Sequence, residues 1–394
     1  MARHDVDVIV VGAGPSGALA ARALRREGLA VLVLDRSGFP RHKPCAGGLT
    51  IKSLNLIDYS VGPVIERATL SLLLGIRSAG RDRFELFKAA DPICAFSVRE
   101  RFDAFNFEQM VQAGAAFERA GRIEEIVEDA NGVGVRFDGR VLRAKYLIGA
   151  DGANSRVRRL AFPERPVRRG FAIEGLVPYA TLGHEPMPEF LFGVVPNGYG
   201  WLFPKGDHVN VGLYTFDDAP ALSKTLLRAY CRSRLGTDAI EQITGYPLGF
   251  GAHRDLGVSG RVLLVGDAAG FAEPLLGEGI HNAIKSGLAA AAAILAVEGT
   301  AGRTLAQAYR RAAAPILKDL ERSDWLKDLF YPRLAGIGPA LLRSPVAKSA
   351  LLRGFAAGKT LHEITNRFFL APFFRPAIPP GLADVLKDAR SRAH

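Results

Sequence analysis

The chain has 394 residues, of which 48% are hydrophobic and 23% are charged. That is enough to bury a large core in more than one domain, and it excludes an extensively disordered protein. Cys45, Cys94 and Cys231 are widely separated and no pair has metal-ligand spacing. We therefore predict no metal site and expect free thiols in a reducing compartment.

The formal net charge of +11 favours anionic partners, namely phosphates, acidic carrier proteins or an anionic membrane surface. A soluble protein that is merely basic is the equal alternative. We find no nucleic-acid-binding motif. Asp5 and Asp7 interrupt any N-terminal signal-peptide pattern, and the alanine-rich run 286–299 is too short for a bilayer span and predicts a core helix. We expect a cytoplasmic protein.

The apolar run Val6–Val11 predicts a strand buried on both faces, as in a parallel sheet. Glycines follow at G-x-G-x-x-G spacing. Gly12 permits the tight turn, Gly14 lets a pyrophosphate approach the backbone, and Gly17 lets the next helix pack closely on the strand. That helix, over residues 18–24, directs its positive end at the phosphates.

A second predicted strand, residues 30–34, ends at Asp35, whose carboxylate can accept hydrogen bonds from an adenosine ribose. The order strand, turn, helix, strand, acid predicts a dinucleotide site. The alternative is an ordinary glycine-rich turn that binds nothing.

Residues 39–50 contain two prolines and two glycines, which predict an extended loop around Cys45. The plain alternative for Cys45 is a small buried apolar residue. Residues 70–86 predict strands of a separate sheet. Arg99 begins a predicted helix over residues 98–113, where it either reaches the cofactor or pairs with an acid such as Asp103.

Short antiparallel strands are predicted within residues 123–142, followed by a buried strand at 146–150 that ends in Asp151. Another buried strand, 261–265, leads into Gly266 and Asp267, and a helix is predicted over residues 281–297. Both acids are expected at the carboxyl edge of the sheet, where ligands bind. Asp267 can hold a polyol chain.

Residues 171–212 predict a mainly antiparallel sheet in which Tyr199, Trp201 and Phe203 alternate onto one face. This row is either a core seam or the wall of an apolar substrate cavity. From residue 304 the chain is predicted to be helical and basic. The aromatic, proline-broken segment 368–376 predicts a core cap or, alternatively, a contact patch for a membrane or partner.

Three of these motifs together resemble the FAD-dependent monooxygenase-like flavoproteins, over nearly the whole chain to about residue 300. They are the glycines at 12–17 with Asp35, then Asp151-Gly152, then Gly266-Asp267 with Pro274 and Gly277-Glu278-Gly279. Within that group, the chain resembles the geranylgeranyl reductase family through Pro44-Cys45-Ala46-Gly47-Gly48-Leu49-Thr50 and Tyr199-x-Trp201-x-Phe203-Pro204-Lys205. Ala46 departs from the glycine usual in that family.

The resemblance implies an α/β fold with a discontinuous Rossmann-like FAD-binding domain, residues 1–70, 97–165 and 250–300. It also implies a mainly antiparallel substrate domain, residues 71–96 and 166–249, and a C-terminal helical region, 301–394. The implied cofactor-binding residues are Gly12, Gly14, Pro15, Ser16 and Gly17 at the pyrophosphate, Asp35 and Arg36 at the adenosine end, Gly266 and Asp267 at the ribityl-phosphate portion, Gly277, Gly279 and Ile280 at the isoalloxazine, and Cys45, Ala46, Gly47, Arg99 and Asp151 around the site.

The implied activity is reduction of isolated C=C bonds in a polyprenyl chain carried by a lipid, quinone or pigment precursor. We expect Cys45, Tyr199 and Trp201 to be catalytic, and Phe203 and Pro204 to line the substrate pocket with Tyr199 and Trp201. The electron donor is expected to be NADPH or a reduced ferredoxin-type carrier, because FAD occupies the only Rossmann fingerprint. Alternatives are a hydroxylase or halogenase of the same fold, and a membrane-surface electron-transfer flavoprotein. The expected location is the cytoplasm, with a peripheral position at the inner face of the membrane as the alternative.

Overall fold

The computed structural model describes residues 4–217, 222–299, 302, 304–366, 379 and 382. The predicted aromatic segment 368–376 lies outside the described residues. The chain divides into two compact units. Unit 1 comprises Met1–Arg41, Asp103–Arg169 and Leu248–Glu321, and unit 2 comprises His42–Phe102, Gly170–Pro247 and Arg322–His394. The predicted functional domain boundaries stay a prediction.

The strands, in chain order, are β1 Val6–Val11, β2 Val31–Asp35, β3 Gly48–Thr50, β4 Arg67–Thr69, β5 Ser71–Ser78, β6 Arg81–Lys88, β7 Cys94–Phe96, β8 Ala116–Arg119, β9 Ile123–Glu128, β10 Val133–Phe137, β11 Arg140–Gly149, β12 Arg168–Pro178, β13 Glu189–Phe192, β14 Gly198–Pro204, β15 His208–Thr215, β16 Glu241–Phe250, β17 Val258–Ser259 and β18 Val262–Leu264.

The helices are α1 Pro15–Arg26, α2 Ile51–Leu54, α3 Arg99–Gln112, α4 Arg156–Ala161, α5 Lys224–Leu235, α6 Gly266–Ala269, α7 Ile280–Glu298, α8 Leu305–Phe330, α9 Leu334–Arg343, α10 Pro345–Ala356 and α11 Leu361–Asn366. Short 3₁₀ turns occur at Gly62–Val64, Tyr179–Thr181 and Tyr331–Arg333.

The sheet of unit 1 has the order β17-β18-β11-β1-β2-β8, with β10 paired to β11 and β9 paired to β10. β1 lies between β11 and β2 and runs parallel to both. Val8, Ile9 and Val10 have no exposed surface, so β1 is buried on both faces as its apolar run predicts. Helices α1 and α7 pack together in this unit.

Residues 141–142 and 146–150 were predicted to lie in separate strands, and this is wrong. Residues 141–142 and 146–149 belong to the single strand β11, because no glycine or proline interrupts the chain between them. Its first half pairs antiparallel with β10, and its second half pairs parallel with β1, with Ala144 at the change of partner. One strand thus joins a surface hairpin to the buried parallel sheet.

Helix α7 confirms the helix predicted over residues 281–297, but it is longer than the run 286–299 that was judged too short for a bilayer span. At 19 residues and a mean hydropathy of 1.5 over its most apolar window, it is long and apolar enough to cross a membrane by length and composition. However, 61% of that window is buried inside the protein. A Cβ added at Gly287 would lie 2.2 Å from the Ser16 carbonyl oxygen of α1. These contacts agree with the predicted core helix.

Unit 2 is built on a seven-stranded sheet with the order β16-β12-β15-β14-β13-β5-β6. The pairing is mainly antiparallel, as predicted, although β13 and β5 run parallel. A separate three-stranded sheet has the order β3-β7-β4. Because β3 pairs with β7, the last residues of the predicted 39–50 loop form a strand. The described C-terminal part, from residue 304 to 366, is helical as predicted, and the mixed sheets and helices confirm the predicted α/β fold class.

Candidate functional site

The glycine-rich turn of unit 1 is fixed by close backbone contacts. Gly12 has φ +105°, and a Cβ there would lie 2.4 Å from the Ala150 carbonyl oxygen. A Cβ at Gly17 would lie 1.8 Å from the Gly12 carbonyl oxygen. Around Gly14, by contrast, Nη2 of Arg41, at 3.5 Å, is the one heavy atom of the described residues outside the adjoining chain that lies within 4 Å of an added Cβ. Gly14 therefore leaves room for a ligand at the N-terminus of α1, where Pro15 is the first helical residue and Ser16 is buried.

Asp35 ends β2 beside this turn. Its Oδ2 accepts a hydrogen bond from the Ala13 amide at 2.8 Å, and its Oδ1 accepts one from the Ser37 amide at 2.9 Å. Each carboxylate oxygen has a second lone pair with which it can accept a ribose hydroxyl. Arg36 follows with an exposed side chain. The arrangement fits the adenosine end of a dinucleotide.

Asp151 follows β11, but its carboxylate is used within the protein. It accepts hydrogen bonds from the Ser155 hydroxyl at 2.5 Å and from the amides of Arg156 and Val157 at 2.6 and 3.1 Å. Burial raises the pKa of this carboxyl, while these donors oppose the rise. Asp151 therefore caps the N-terminus of α4. The Asp151 amide nitrogen lies 2.9 Å from the position of a Cβ on Gly12. The support of the cofactor site by Asp151 stays a prediction.

The third motif lies beside the first. A Cβ added at Gly266, which has φ +55°, would lie 3.1 Å from the Ser16 hydroxyl. The Gly266 amide donates to the Ser286 hydroxyl of α7 at 2.9 Å. Oδ1 of Asp267 lies 3.6 Å from the position of a Cβ on Gly279, the residue that caps α7. Gly277, with φ +68°, precedes this cap, and Ile280 is the first residue of α7.

The glycine turn, Asp35 and the 266–280 segment are thus assembled within unit 1. They combine a close-approach backbone, two helix N-termini and two carboxylates, those of Asp35 and Asp267. These are the donor and acceptor types that FAD requires along its pyrophosphate and its two sugar-derived parts. The residues present fit that cofactor.

Arg41 is a candidate residue that sequence reasoning missed. Its Nη2 forms an ion pair with Oδ2 of the fully buried Asp103 at 3.1 Å, and its guanidinium lies 4.9 Å from the ring centroid of Phe39. The same Nη2 is the neighbour of Gly14 noted above. Only its place in the basic cluster after β2 hinted at this position. Arg99, which was weighed as a partner of Asp103, is the first residue of α3 and is buried.

Glu273 is a second residue that the sequence did not single out. Its side chain is 1% exposed, and its oxygens accept hydrogen bonds from the amides of Leu275 and Leu276 at 2.6 and 2.9 Å. Burial raises its pKa to about 7, against the stabilising effect of the two amides. Glu273 thus shapes the loop that precedes Gly277.

In unit 2, two buried charged side chains hold the loop of Cys45. Glu174 of β12 accepts a hydrogen bond from the Cys45 amide at 2.7 Å. Lys205, which follows β14, donates to the carbonyl oxygens of Ala46 and Ser97 at 2.6 and 3.0 Å. Burial raises the pKa of Glu174 and lowers that of Lys205 to about 8. Glu174 and Lys205 therefore fix the backbone of the loop against the seven-stranded sheet of unit 2.

The backbone geometry of this loop accounts for two of its small residues, Gly47 and Ala46. Gly47 has φ +66°, and a Cβ there would lie 2.0 Å from the Ser97 carbonyl oxygen and 2.9 Å from Nζ of Lys205. Ala46 is not among the residues with positive φ, so its methyl group causes no backbone strain. The Sγ of Cys45 accepts a hydrogen bond from the Gly47 amide at 3.4 Å. Cys45 is partly exposed, so it is not the fully buried apolar residue of the alternative.

The predicted aromatic row is present on β14. Ring centroids of Tyr199 and Trp201 are 6.2 Å apart, and those of Trp201 and Phe203 are 6.4 Å apart. All three are buried, as is Pro204. A Cβ at Gly212 would lie 2.0 Å from the indole of Trp201, which accounts for the glycine opposite it. Further rings extend the row, with Phe190, Phe192 and Tyr214 against Tyr199, and Phe96 against Phe203.

A polar chain connects this row to the Cys45 loop. Trp201 donates from Nε1 to Oδ1 of Asn210 at 2.7 Å, and the Asn210 side chain is hydrogen-bonded to Glu174. Glu174 in turn accepts from the Cys45 amide. The orientation of the indole and that of the loop are therefore coupled within unit 2. Among the described residues, no group of three or more His, Cys, Asp or Glu side chains is placed to hold a metal ion.

The model of a protein family described as "FAD binding domain" matches residues 5–178 and 218–324 of this chain. An uncharacterized protein of Methanosarcina barkeri is 34% identical, covering 83% of this chain and 84% of the relative. Digeranylgeranylglycerophospholipid reductase 1 of Methanopyrus kandleri is 30% identical, covering 75% of this chain and 82% of the relative.

Among solved structures, a geranylgeranyl bacteriochlorophyll reductase-like protein from Thermoplasma acidophilum aligns with a TM-score of 0.67. It is 22% identical and the alignment covers 98% of both chains, which shows the shared fold. A flavin-dependent brominase and an anhydrotetracycline hydroxylase share the fold too, at 16% and 22% identity. By its sequence match, the chain belongs to the FAD-binding-domain family and, within it, to the geranylgeranyl reductase family of FAD-dependent oxidoreductases.

Proposed function

We propose that this protein reduces isolated C=C bonds of a polyprenyl chain carried by a lipid, quinone or pigment precursor. The observation that carries the proposal is the coupled pair of features in unit 2, a fixed Cys45 loop and a buried row of aromatic rings. Relatives of the chain are named for geranylgeranyl substrates. When FAD is bound and reduced, it supplies the hydride.

An unactivated trisubstituted alkene is a poor hydride acceptor, so one carbon must receive a proton as the other receives the hydride. We assign that proton to the thiol of Cys45. A bound water or the hydroxyl of Tyr199 is the alternative source. Glu174 and Lys205 act by holding the backbone of the loop, and they are positioning residues.

Developing positive charge at the tertiary carbon is stabilised by aromatic faces, each worth about 0.5–2 kcal/mol when desolvated. Tyr199, Trp201 and Phe203 provide such faces in a setting from which water is excluded. Their burial also fits a long apolar chain, whose transfer from water is favourable by about 0.8 kcal/mol per CH₂ group. The row therefore serves both substrate binding and charge stabilisation.

The electron donor is NADPH or an acidic carrier of the ferredoxin type, in keeping with the net charge of +11. Each provides negative charge, the first through its phosphates and the second through its carboxylates. Anaerobic mixing with each donor, followed by the loss of flavin absorbance, identifies the one that reacts. We place the enzyme in the cytoplasm, at the membrane periphery.

The test is anaerobic turnover of a digeranylgeranyl lipid in detergent by the reduced, FAD-loaded enzyme, with mass analysis of the product. We expect mass increases of about 2 Da for each C=C bond reduced. Cys45→Ser should slow the alkene step by about 10²-fold or more if its thiol is the acid, with FAD still bound. An unchanged rate would remove the proton role from Cys45. Oxygen-dependent addition of an oxygen atom or a halogen, with no anaerobic product, would establish the hydroxylase or halogenase alternative.

A further inference from the structure

Large apolar side chains are exposed at neighbouring positions of the sequence, on the consecutive helices α8, α9 and α10. Ten large hydrophobic residues of the described chain are exposed, and five of them fall between positions 325 and 346. We name these five the 325–346 surface: Trp325, Leu329, Ile337, Leu341 and Val346. Single exposed apolar residues are ordinary, whereas their concentration in one stretch of the chain is typical of an interaction surface.

Helix α9 is apolar on its inner and its outer side. Leu334, Gly338 and Leu342 recur every four residues and are buried, and a Cβ at Gly338 would lie 2.5 Å from the Ile76 side chain of β5. Ile337 and Leu341 are also one turn apart, yet each is 43% exposed. The inner stripe, Leu334, Gly338 and Leu342, is buried inside unit 2. The outer pair, Ile337 and Leu341, is exposed to solvent.

Basic residues outnumber acidic ones along the 325–346 surface, where Lys327, Arg333 and Arg343 stand against Asp328, which is ion-paired with Lys327. Residues 329–362 include five basic residues and no acidic residue. Arg333, Arg343 and Arg353 are exposed. Lys348 of α10 pairs with Glu85 of β6 at 2.6 Å, next to the exposed Leu86. Cations that flank exposed apolar side chains complement anionic lipid headgroups.

Trp325 adds a marker of depth. It is 52% exposed, and the guanidinium of Arg322 lies 4.5 Å from its ring centroid. An indole beside a cation is typical of the boundary between headgroups and acyl chains. The 325–346 surface thus combines the three features that are typical of helices lying in this boundary: exposed apolar residues, an aromatic anchor and flanking cations.

We propose that the 325–346 surface docks on an anionic lipid bilayer, so that this helical region lies in the interface without crossing it. This inference rests on the proposed function, since polyprenyl lipids reside in the bilayer and the enzyme must collect them there. The charge complementarity favours the bilayer over a second copy of this basic chain as the occupant.

Vesicle binding tests the proposal with the full-length FAD-loaded protein. The sequence has only two tryptophans, and Trp201 is buried, so a change in emission on adding vesicles reports Trp325. We expect a blue shift and co-flotation with vesicles of phosphatidylcholine containing about 30% phosphatidylglycerol, and at least about tenfold weaker partitioning to phosphatidylcholine alone. Trp325→Phe should abolish the shift and leave most of the flotation.

The double variant Ile337→Glu and Leu341→Glu should lower partitioning by about tenfold or more, because it puts two carboxylates where apolar groups would enter the interface. Val111→Glu on α3 is the matched control, since Val111 is helical and also 43% exposed. It should bind vesicles like the wild type. Thermal unfolding of all variants checks that they are folded.

Four outcomes would overturn the proposal. The first is an absence of vesicle binding, and the second is an equal loss of vesicle partitioning in the double variant and in Val111→Glu. The third is a Trp325 emission that is already blue-shifted before lipid is added. The fourth is a wild-type dimer that the double variant converts to monomer, without any vesicle binding. Turnover of the detergent-solubilised substrate separates the two proposals. If it persists while vesicle binding fails, only the docking surface is lost, and if vesicles bind without any turnover, only the enzymatic proposal fails.

Discussion

Gly47 occupies a position that no other residue can take without moving its neighbours. Its φ of +66° and the 2.0 Å approach of a Cβ to the Ser97 carbonyl oxygen act together against any side chain. We predict that Gly47→Ala lowers the free energy of unfolding by clearly more than the about 1–2 kcal/mol that a left-handed conformation alone costs. Thermal unfolding followed by circular dichroism measures the loss.

Gly80 provides the matched control, because its φ is +71° and no heavy atom lies within 4 Å of its added Cβ. Gly80→Ala should lower the free energy of unfolding only by the about 1–2 kcal/mol that the left-handed conformation costs. Equal losses in the two variants would mean that the Ser97 carbonyl does not restrict the Cys45 loop.

Glu273 makes stability depend on pH. Its pKa is about 7 in the folded chain and 4.5 in the reference state, so the folded chain binds more protons between those values. Its contribution to stability is fully present below pH 4.5 and is lost as the pH rises through 7. Relative to the wild type, Glu273→Gln should therefore gain stability between pH 5 and pH 8, by up to on the order of 3 kcal/mol.

The measurement is the difference in Tm between variant and wild type at those two pH values. The amide of glutamine accepts fewer backbone hydrogen bonds than the carboxylate does. This loss lowers the Tm of the variant equally at both pH values, so the pH dependence of the Tm difference is unchanged. Glu27→Gln, at an exposed position after α1, is the control and should show no such trend. A Tm difference for Glu273→Gln that is the same at both pH values would contradict the assignment.

At this residue scale, local motifs predicted the candidate cofactor residues, because the turn needs glycines at fixed spacing. They did not predict Glu174, which lies 129 positions from Cys45 and reaches it through the sheet pairing. Lys205 was part of a quoted motif, but its buried contact with the loop depends on tertiary packing. Long-range polar contacts of this kind leave no local pattern.

At the scale of elements, the contact between α1 and α7 depends on Gly287. A Cβ there would lie 2.2 Å from the Ser16 carbonyl oxygen, so a methyl group must push the two helices apart. We predict that Gly287→Ala lowers Tm and weakens FAD binding, because Ser16 and the Gly266 amide both lie at this contact. Calorimetric titration of the FAD-free protein with FAD measures the affinity.

The helical control is Gly336→Ala in α9, where nothing lies within 4 Å of the added Cβ. Alanine is the better helix former, so this variant should gain about 0.5–1 kcal/mol. A gain in stability for Gly287→Ala as well would show that the helices do not meet as closely as described.

Strand and helix periodicity predicted most elements, including β1, β2, α3 and α7. The prediction failed at β11, where a change from antiparallel to parallel partners in mid-strand looks like an interruption. A strand that is exposed at one end and buried at the other has two hydrophobic patterns in sequence. Only the pairing shows that they form one element.

For the whole molecule, the central claim is that an FAD-loaded chain transfers a hydride to an isolated alkene without oxygen. Composition and charge limited the class of partner, and the family match added the cofactor. Neither specifies the length of the prenyl chain or its head group, because apolar walls recognise CH₂ groups with little discrimination.

The most direct measurement is anaerobic stopped-flow mixing of the reduced, FAD-loaded enzyme with a digeranylgeranyl lipid in detergent, followed by flavin absorbance. We predict that oxidised flavin reappears at one equivalent per C=C bond reduced, and that a saturated analogue of the lipid leaves the flavin reduced. Flavin that stays reduced until oxygen is admitted, with no product 2 Da heavier, would contradict it.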